Sequence, residues 1–315
     1  MIKKIILHLK WMLAQKGFFD SWTDERYLKL TYRLMIGKKL NLNNPQTFNE
    51  KLQWLKIHDR NYQYTNLVDK IEAKKIVGKV IGEEYIIPTL EICDSFDEID
   101  WEKLPNRFII KCNHNSGGVI VVNDKKDLDK DSLRTHFNKL LKKNYYYNGR
   151  EYPYKNIKPK IMIEENIQNA NTKKQIDDYK LMCFNGKVKC SFVCSNRDSK
   201  EGLCVNFYDE DWNPMPFERH YPKNKQEFPK PKEYNKMVEL AEKLSKNIPF
   251  VRVDFYVVND KIYFGELTFY PGSGMEEFTP DEWDYILGTW LDISKIRWRI
   301  WTMKSLKNLI TYTKL

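Results

Sequence analysis

The segment VRVDFYVVNDKIYFGELTF (251–269) constrains this chain more than any other stretch. Val251, Val253, Phe255 and Val257 alternate with Arg252, Asp254 and Tyr256; Tyr263, Gly265, Leu267 and Phe269 alternate with Phe264, Glu266 and Thr268. Period-two alternation of this kind predicts an antiparallel hairpin with one apolar and one polar face. A two-residue Asn259-Asp260 loop would pair Val258 with Lys261 and put Asp254 and Glu266 on opposite sides of the sheet. Clean faces therefore predict a three-residue loop, Asn259 to Lys261, with Val258 opposite Ile262. That register sets Asp254 across from Glu266 and Arg252 across from Thr268. Opposed residues lie roughly 4.5–5.5 Å apart, and like charges there repel unless a cation sits between them. Two hard carboxylates suit Mg²⁺, which completes its shell with water and phosphate oxygens. Ordinary surface charges on a solvent-facing hairpin are the alternative.

A second hairpin, DYKLMCFNGKVKCSFVCSNR (178–197), is signalled by Asn185-Gly186, which pairs Phe184 with Lys187. A regular ladder gathers Lys180, Lys189 and Arg197 on one face and Leu181, Cys183, Val188, Cys190, Phe192 and Cys194 on the other. Three cations on one face suit a polyphosphate, or simply water. In FIIKCNHNSGGVIVV (108–122), two strands flank the Asn113–Gly118 loop, and Lys111 lies opposite Phe108, Ile110 and Cys112. Backbone N–H groups of such a small-residue loop can wrap an anion, and a nearby lysine adds a point charge. Glu164 and Glu165 end another apolar strand, KIMIEENI (160–167).

The chain has 315 residues, 42% of them hydrophobic and 30% charged, which excludes disorder and a disulfide-stapled mini-protein. Lys+Arg 53 against Asp+Glu 43 leaves +10, but acids and bases are interleaved throughout. A dispersed charge without a nucleic-acid motif argues against nucleic acid and fits an anionic small molecule or a membrane surface. Six cysteines without a C-x-x-C pair read as reduced core thiols of a cytosolic protein. The opening MIKKIILHLKWMLAQK is too broken by charge for a signal peptide or a bilayer span. His8, His58, His136 and His220 have no partner at metal or triad spacing, and P-loop, G-x-G-x-x-G and G-x-S-x-G motifs do not occur.

Four segments follow. Residues 1–68 read as helical, with Thr47 and Glu50 at capping-box spacing. Residues 69–160 open with a basic helix ended by Gly82, followed by a strand at YIIP, and contain the Gly-bearing loop. Residues 161–282 hold both hairpins and a helix over 233–247. Residues 283–315 form a basic, Trp-rich amphipathic tail, which either lies on an anionic membrane or packs on the domain as its closing helix.

Read in order, Lys111 with the Ser-Gly-Gly loop, the Glu164–Ile167 strand end, DYK and SNR, then R-x-D, E-x-T and PG resemble the ATP-grasp superfamily. The flanking NPQTFNEKLQWLK, KCNHNSGG, DYKLMCFNG and VDFYVV…YFGELTFYPGSG are similar to its TupA-like branch, from bacterial teichuronopeptide and capsular polysaccharide biosynthesis, over roughly residues 40–290. The resemblance implies an α+β fold, two α/β subdomains gripping ATP between antiparallel sheets, with helical extensions at both ends. The usual N-terminal Rossmann-like subdomain is not evident, since residues 1–75 read as helices.

The same resemblance implies that Lys111 and Lys180 bind ATP phosphates under a mobile loop of Ser116, Gly117 and Gly118. Glu164, the Glu165 carbonyl and the Ile167 N–H would hold adenine. Asp254, Glu266 and Thr268 would hold Mg²⁺, with Thr268 standing where Asn is usual. Arg252 would stabilise the tetrahedral oxyanion, and Lys180 and Arg197 the transferring phosphoryl group. The implied activity is ATP-dependent amide formation between a carboxylate, such as a uronic acid on a glycan or its precursor, and a small amine, through an acylphosphate. ATP and Mg²⁺ are the implied cofactors, and the implied place is the cytoplasm; a tail that does not pack on the domain would lie at the inner face of the membrane. A phosphotransferase acting on a glycan hydroxyl, and a non-ATP glycosyltransferase or glycan-binding protein, are the rival readings.

Overall fold

A computed structural model of the chain describes residues 12–14, 16–168, 177–196 and 202–296. Helix α1 (Asp24–Met35) starts at Thr23, whose hydroxyl accepts from Arg26 N. Helix α2 (Phe48–His58) carries the reciprocal Thr47/Glu50 cap expected from the sequence. After α3 (Gln63–Val68), the Asp69 carboxylate accepts from Ile71 N and starts α4 (Lys70–Ile81), which ends at Gly82 with φ 121°.

The strand expected at YIIP does not form there. Tyr85 closes a single helical turn, and strand β1 (Thr89–Cys93) begins only after Pro88, which has no N–H for a ladder. The Pro88 carbonyl still accepts from Glu165 N at 3.1 Å. With β2 (Phe108–Cys112), β3 (Ile120–Val122) and β4 (Ile161–Glu165), β1 builds a four-stranded antiparallel sheet in the order β1-β4-β2-β3. Strand β4 opens the third sequence segment yet belongs to this sheet. One face packs Phe108, Ile110, Cys112, Ile161 and Ile163 against Phe137 of α5 (Lys130–Leu141). Cross-strand pairing places Lys111, Glu164, Ile92 and Val121 on the other face.

The larger sheet has the order β10-β9-β5-β6-β7, from β5 (Asp177–Phe184), β6 (Lys187–Ser195), β7 (Cys204–Tyr208), β9 (Phe250–Val258) and β10 (Lys261–Thr268). A small pair joins β8 (Glu218–Arg219) to β11 (Phe278–Thr279). Helix α6 (Tyr146–Gly149) precedes β4. Helix α7 (Tyr234–Leu244) covers the Leu181, Cys183, Val251 and Val253 face with Met237, Leu240 and Ala241. All six cysteines are free thiols, and all but Cys194 are buried.

Both hairpins turn on two residues. Asn185-Gly186 has φ of 50° and 83°, and Asn259-Asp260 has φ of 52° and 59°. Two positive-φ residues match the twist of the flanking strands, and Asn and Asp tolerate that region. The three-residue loop expected at Asn259–Lys261 is therefore overturned: Val258 pairs with Lys261, and Tyr263 with Tyr256. The register then shifts between Phe264 and Glu266, which brings Glu266 opposite Asp254 and Thr268 opposite Arg252. Gly265 is the extra residue of this bulge, where a Cβ would come within 3.1 Å of the Asp254 carbonyl oxygen and the Tyr256 ring. Phe264 thereby moves to the core face opposite Phe255 and is buried, while Tyr263 lies beside Tyr256.

A second bulge overturns the expected cation face of the first hairpin. Met182 pairs with Cys190 but Cys183 with Val188, leaving Lys189 as the extra residue. Lys180 consequently pairs with Phe192 and shares its face with Met182, Cys190 and Phe192. Lys189 instead forms an ion pair with Glu210 at 2.7 Å, and Arg197 lies outside the described residues.

Helix α8 (Glu282–Trp290) closes against α2. Asp284 accepts from Asn49 N at 2.9 Å, and Lys51 Nζ donates to the carbonyls of Gly288 and Leu291, both at 2.7 Å. The chain leaves helix at Leu291, and Leu291, Ile293 and Ile296 are buried in the main core. The described part of the tail is thus core, and the Trp298/Trp301 pair lies outside the described residues. Among the described residues no helix is long and apolar enough to cross a membrane.

Candidate active site between the two sheets

Three neighbouring strands place a charged row on the face of the large sheet opposite α7. Lys180 of β5 pairs with Asp254 of β9, and Asp254 with Glu266 of β10. Lys180 Nζ lies 2.5 Å from Asp254 Oδ2 and 2.8 Å from Asp178 Oδ2. Arg252 grips Asp254 with two parallel bonds, Nε to Oδ1 and Nη2 to Oδ2, both 2.6 Å. Its Nη2 also donates to Glu266 Oε1 at 2.9 Å, and Thr268 Oγ1 donates to the same oxygen at 3.1 Å. The repulsion expected between the opposed carboxylates is thus answered by protein cations. Only 1% of Asp254 is exposed.

Electrostatics follow from that packing. Burial pushes the Glu266 carboxyl up, but Arg252, Lys70 and Lys180 outweigh it and hold the group at about 2. Burial also pushes Lys180 down, and Asp254 and Asp178 more than restore it, so the ammonium is kept charged above its ordinary range. For Asp254 burial works upward against the pull of Arg252 and Lys180.

The small sheet supplies the second half. Glu164, 3% exposed, lies between two ammonium groups: Lys111, its ion-pair partner from β2, and Lys74 of α4 at 2.6 Å. Burial would raise the Glu164 carboxyl, yet Lys111 and Lys74 bring it below its ordinary range. Lys70, one turn before Lys74, donates to the Asn115 carbonyl at the base of the Gly-bearing loop. No motif marks Lys70 or Lys74. Their i, i+4 spacing behind the Asp69 cap put both on one face of the basic helix, and that was the signal available.

The loop is pinned below and open above. Asn113 accepts from Lys160 N at 2.7 Å and donates to the Lys158 carbonyl at 3.1 Å, whereas Ser116 and Gly117 are exposed. Gly117 and Gly118 have φ of 81° and 69°, and a Cβ on Gly118 would sit 2.6 Å from Leu140. At the strand end, Glu165 is exposed, and half-buried Ile167 follows beyond β4. Ile92 and Val121 leave apolar surface exposed on the same face as Glu164 and Lys111.

The oxygen set suits a hard cation. A single nitrogen, Arg252 Nη2, reaches both the Asp254 and the Glu266 carboxylate, so one positive centre can serve the pair. Among the described residues no group of three or more His, Cys, Asp or Glu side chains could hold a metal. An ion held by two carboxylates and a hydroxyl would draw its other ligands from water or phosphate, as Mg²⁺ commonly does.

A family model for TupA-like ATPgrasp matches residues 50–292. The chain belongs to the TupA-like ATPgrasp family. Its α+β arrangement is accordingly an ATP-grasp fold. No curated protein matches the chain. Among solved structures, D-alanine–D-alanine ligase from Bacillus anthracis, complexed with ATP, is 16% identical with a TM-score of 0.37, over 64% of this chain and 53% of that one. The Helicobacter pylori D-alanine–D-alanine ligase is 20% identical, TM-score 0.36, over 66% and 52%. The ATP-grasp ligase PsnB, complexed with a precursor variant, Mg and ADP, is 10% identical, TM-score 0.41, over 81% and 65%. The TupA-like chain therefore spans about half the length of the D-alanine–D-alanine ligases it matches.

Proposed function

We infer that this TupA-like ATPgrasp protein is an ATP-dependent carboxylate–amine ligase, with Asp254, Glu266 and Thr268 as its Mg²⁺ site and Lys111 and Lys180 on the phosphates. The observation that carries the reading is the alternation of charge in the cluster. Lys70, Lys74, Lys111, Lys180 and Arg252 are interleaved with Glu164, Asp178, Asp254 and Glu266, and most of these groups are buried or half-buried. Charges withdrawn from water are costly unless paired. Here the incoming partners are complementary: phosphate oxygens take over the lysine and arginine donors as a divalent cation takes over the carboxylates.

Adenine would lie on the small sheet, against Ile92 and Val121, with Glu164, the Glu165 carbonyl and the Ile167 N–H at its polar edge. Ser116, Gly117 and Gly118 would close over the phosphates. The gripping subdomains would be residues 69–165 and 166–282, since β4 belongs to the small sheet, with 1–68 and 283–315 as their extensions. Mg²⁺, when bound, neutralises charge on the phosphates.

The substrate carboxylate oxygen attacks the γ-phosphorus and ADP leaves, while Lys180 and Arg197 hold the charge of the transferred group. The amine nitrogen then attacks the acyl carbon, Arg252 stabilises the oxyanion, and phosphate departs with the C–O bond pair and takes up the proton that the nitrogen loses. Positioning and fixed charge supply the rate enhancement. The uronic-acid or related glycan carboxylate, its place in cell-surface polysaccharide synthesis and the cytoplasmic location rest on the family resemblance.

The test is an ADP-release screen with Mg²⁺, a panel of uronic acids and a panel of small amines. ADP that appears only when both a carboxylate and an amine are present supports the ligase. ADP formed with a glycan hydroxyl and no amine would replace it with a phosphotransferase.

A further inference from the structure

We propose that the cavity beside the charged row, closed by Arg219, is the amine-acceptor site and selects an amine that carries an anionic group. This rests on the ligase reading above. The cavity holds about 120 Å³ and is continuous with the row, since Lys180 and Arg252 line it. Phe192, Val205 and Phe207 form an apolar wall, and Arg219 supplies a further cation. That volume suits a small body of a few heavy atoms, not a nucleotide.

Arg219 is built into this position. It sits on the two-residue strand β8, paired with Phe278 of β11, and its guanidinium packs 5.5 and 5.4 Å from the ring centres of Phe48 and Phe278. Only 3% of the residue is exposed. Nη2 donates to the Pro271 carbonyl at 2.8 Å, but Nε, buried, has no hydrogen-bond acceptor among the described residues. The Glu276 carboxylate stands 3.3 Å from Nε and balances the charge without satisfying that donor. A guanidinium that lines a cavity binds a planar anion through its fork of N–H donors. Carboxylate and phosphate share this chemistry.

Glu276 also lines the cavity, so cation and acid stand side by side, the arrangement that receives a molecule bearing an anion and an ammonium. Glu276 is tucked over the turn at Gly272, where a Cβ would lie 2.0 Å from its carboxyl carbon.

The test titrates the full chain, with Mg²⁺ and a non-hydrolysable ATP analogue present, with alanine and phosphoethanolamine and with alaninamide and ethanolamine, which lack the anionic group. The expected result is tighter binding of an anionic amine by at least about tenfold, in line with a charge-assisted contact. Whichever anionic arm wins identifies carboxylate or phosphate. Arg219→Gln should abolish that preference and Arg219→Lys retain part of it, with analogue binding kept in both. Equal binding of the amines that lack the anion, no binding of either anionic probe, or an undiminished preference in Arg219→Gln would each overturn the proposal. Should Arg219→Gln not fold, Leu203→Trp at the cavity rim decides: it must lose the anionic amine while still binding the analogue, and retained binding overturns the site. If the analogue fails to bind the native chain, the ATP reading itself falls.

Discussion

Lys180 Nζ meets Asp254 Oδ2 at 2.5 Å across the pair that joins β5 to β9, and Arg252 holds the same carboxylate from its own strand. Removing Asp254 therefore leaves two buried cations facing each other. Asp254→Asn should abolish ADP release and also lower stability by about 3 kcal/mol, the usual cost of breaking a buried pair from one side. Glu266→Gln should abolish turnover with a smaller loss, because the Glu266 side chain is more open to water. Activity assays beside thermal melts check both. A melt of Asp254→Asn equal to wild type would mean that the cations find other partners.

Lys111 and Lys74 share one carboxylate, Glu164, each on its own oxygen. Lys111→Met should raise the KM for ATP about 10–100-fold, the equivalent of one charge-assisted contact of ~1.5–3 kcal/mol, and Lys180→Met should do likewise or lower kcat. Lys74→Met should act mainly by loosening Glu164 and should weaken discrimination between ATP and GTP more than it weakens phosphate binding. Nucleotide kinetics on the three variants separate these effects.

Glu266 gives a pH signature. Its carboxyl is held near 2 against an ordinary 4.5. A lowered native value means the unfolded chain binds the proton first, so the stabilisation is present above about 4.5 and is lost as pH falls toward 2. Glu266→Gln should flatten stability against pH in that window, and acid titration of both proteins by circular dichroism checks it.

Legibility of the site tracked what each residue's neighbours demanded. Asp254 and Glu266 were readable as partners because the faces of their strands are apolar and polar in alternation. The route to that pairing was not readable: two bulges, at Gly265 and Lys189, each shift a register by one residue. Alternation fixes which residues want burial, while an extra residue in a strand changes which side of it they occupy. Lys180 therefore lay opposite its expected companions. The capping box at Thr47 was legible because it is local. Arg219 was not, because its meaning comes from Phe48 and Pro271, both far away in sequence.

The closing helix offers a structural check. A Cβ on Gly288 would lie 2.2 Å from the Gln46 carbonyl oxygen, a backbone atom on the approach to α2. Gly288→Ala should destabilise the protein by about 1–3 kcal/mol through overpacking. Differential scanning calorimetry on the native chain and the variant compares them.

The most direct test of the account is calorimetric titration of a non-hydrolysable ATP analogue into the native chain and into Asp254→Asn, each with and without Mg²⁺. An Mg²⁺ site at Asp254 predicts binding to the native chain that tightens at least about tenfold with Mg²⁺, and loss of that Mg²⁺ effect in the variant. Nucleotide binding indifferent to Mg²⁺ in the native chain, or the same Mg²⁺ effect in the variant, would contradict it.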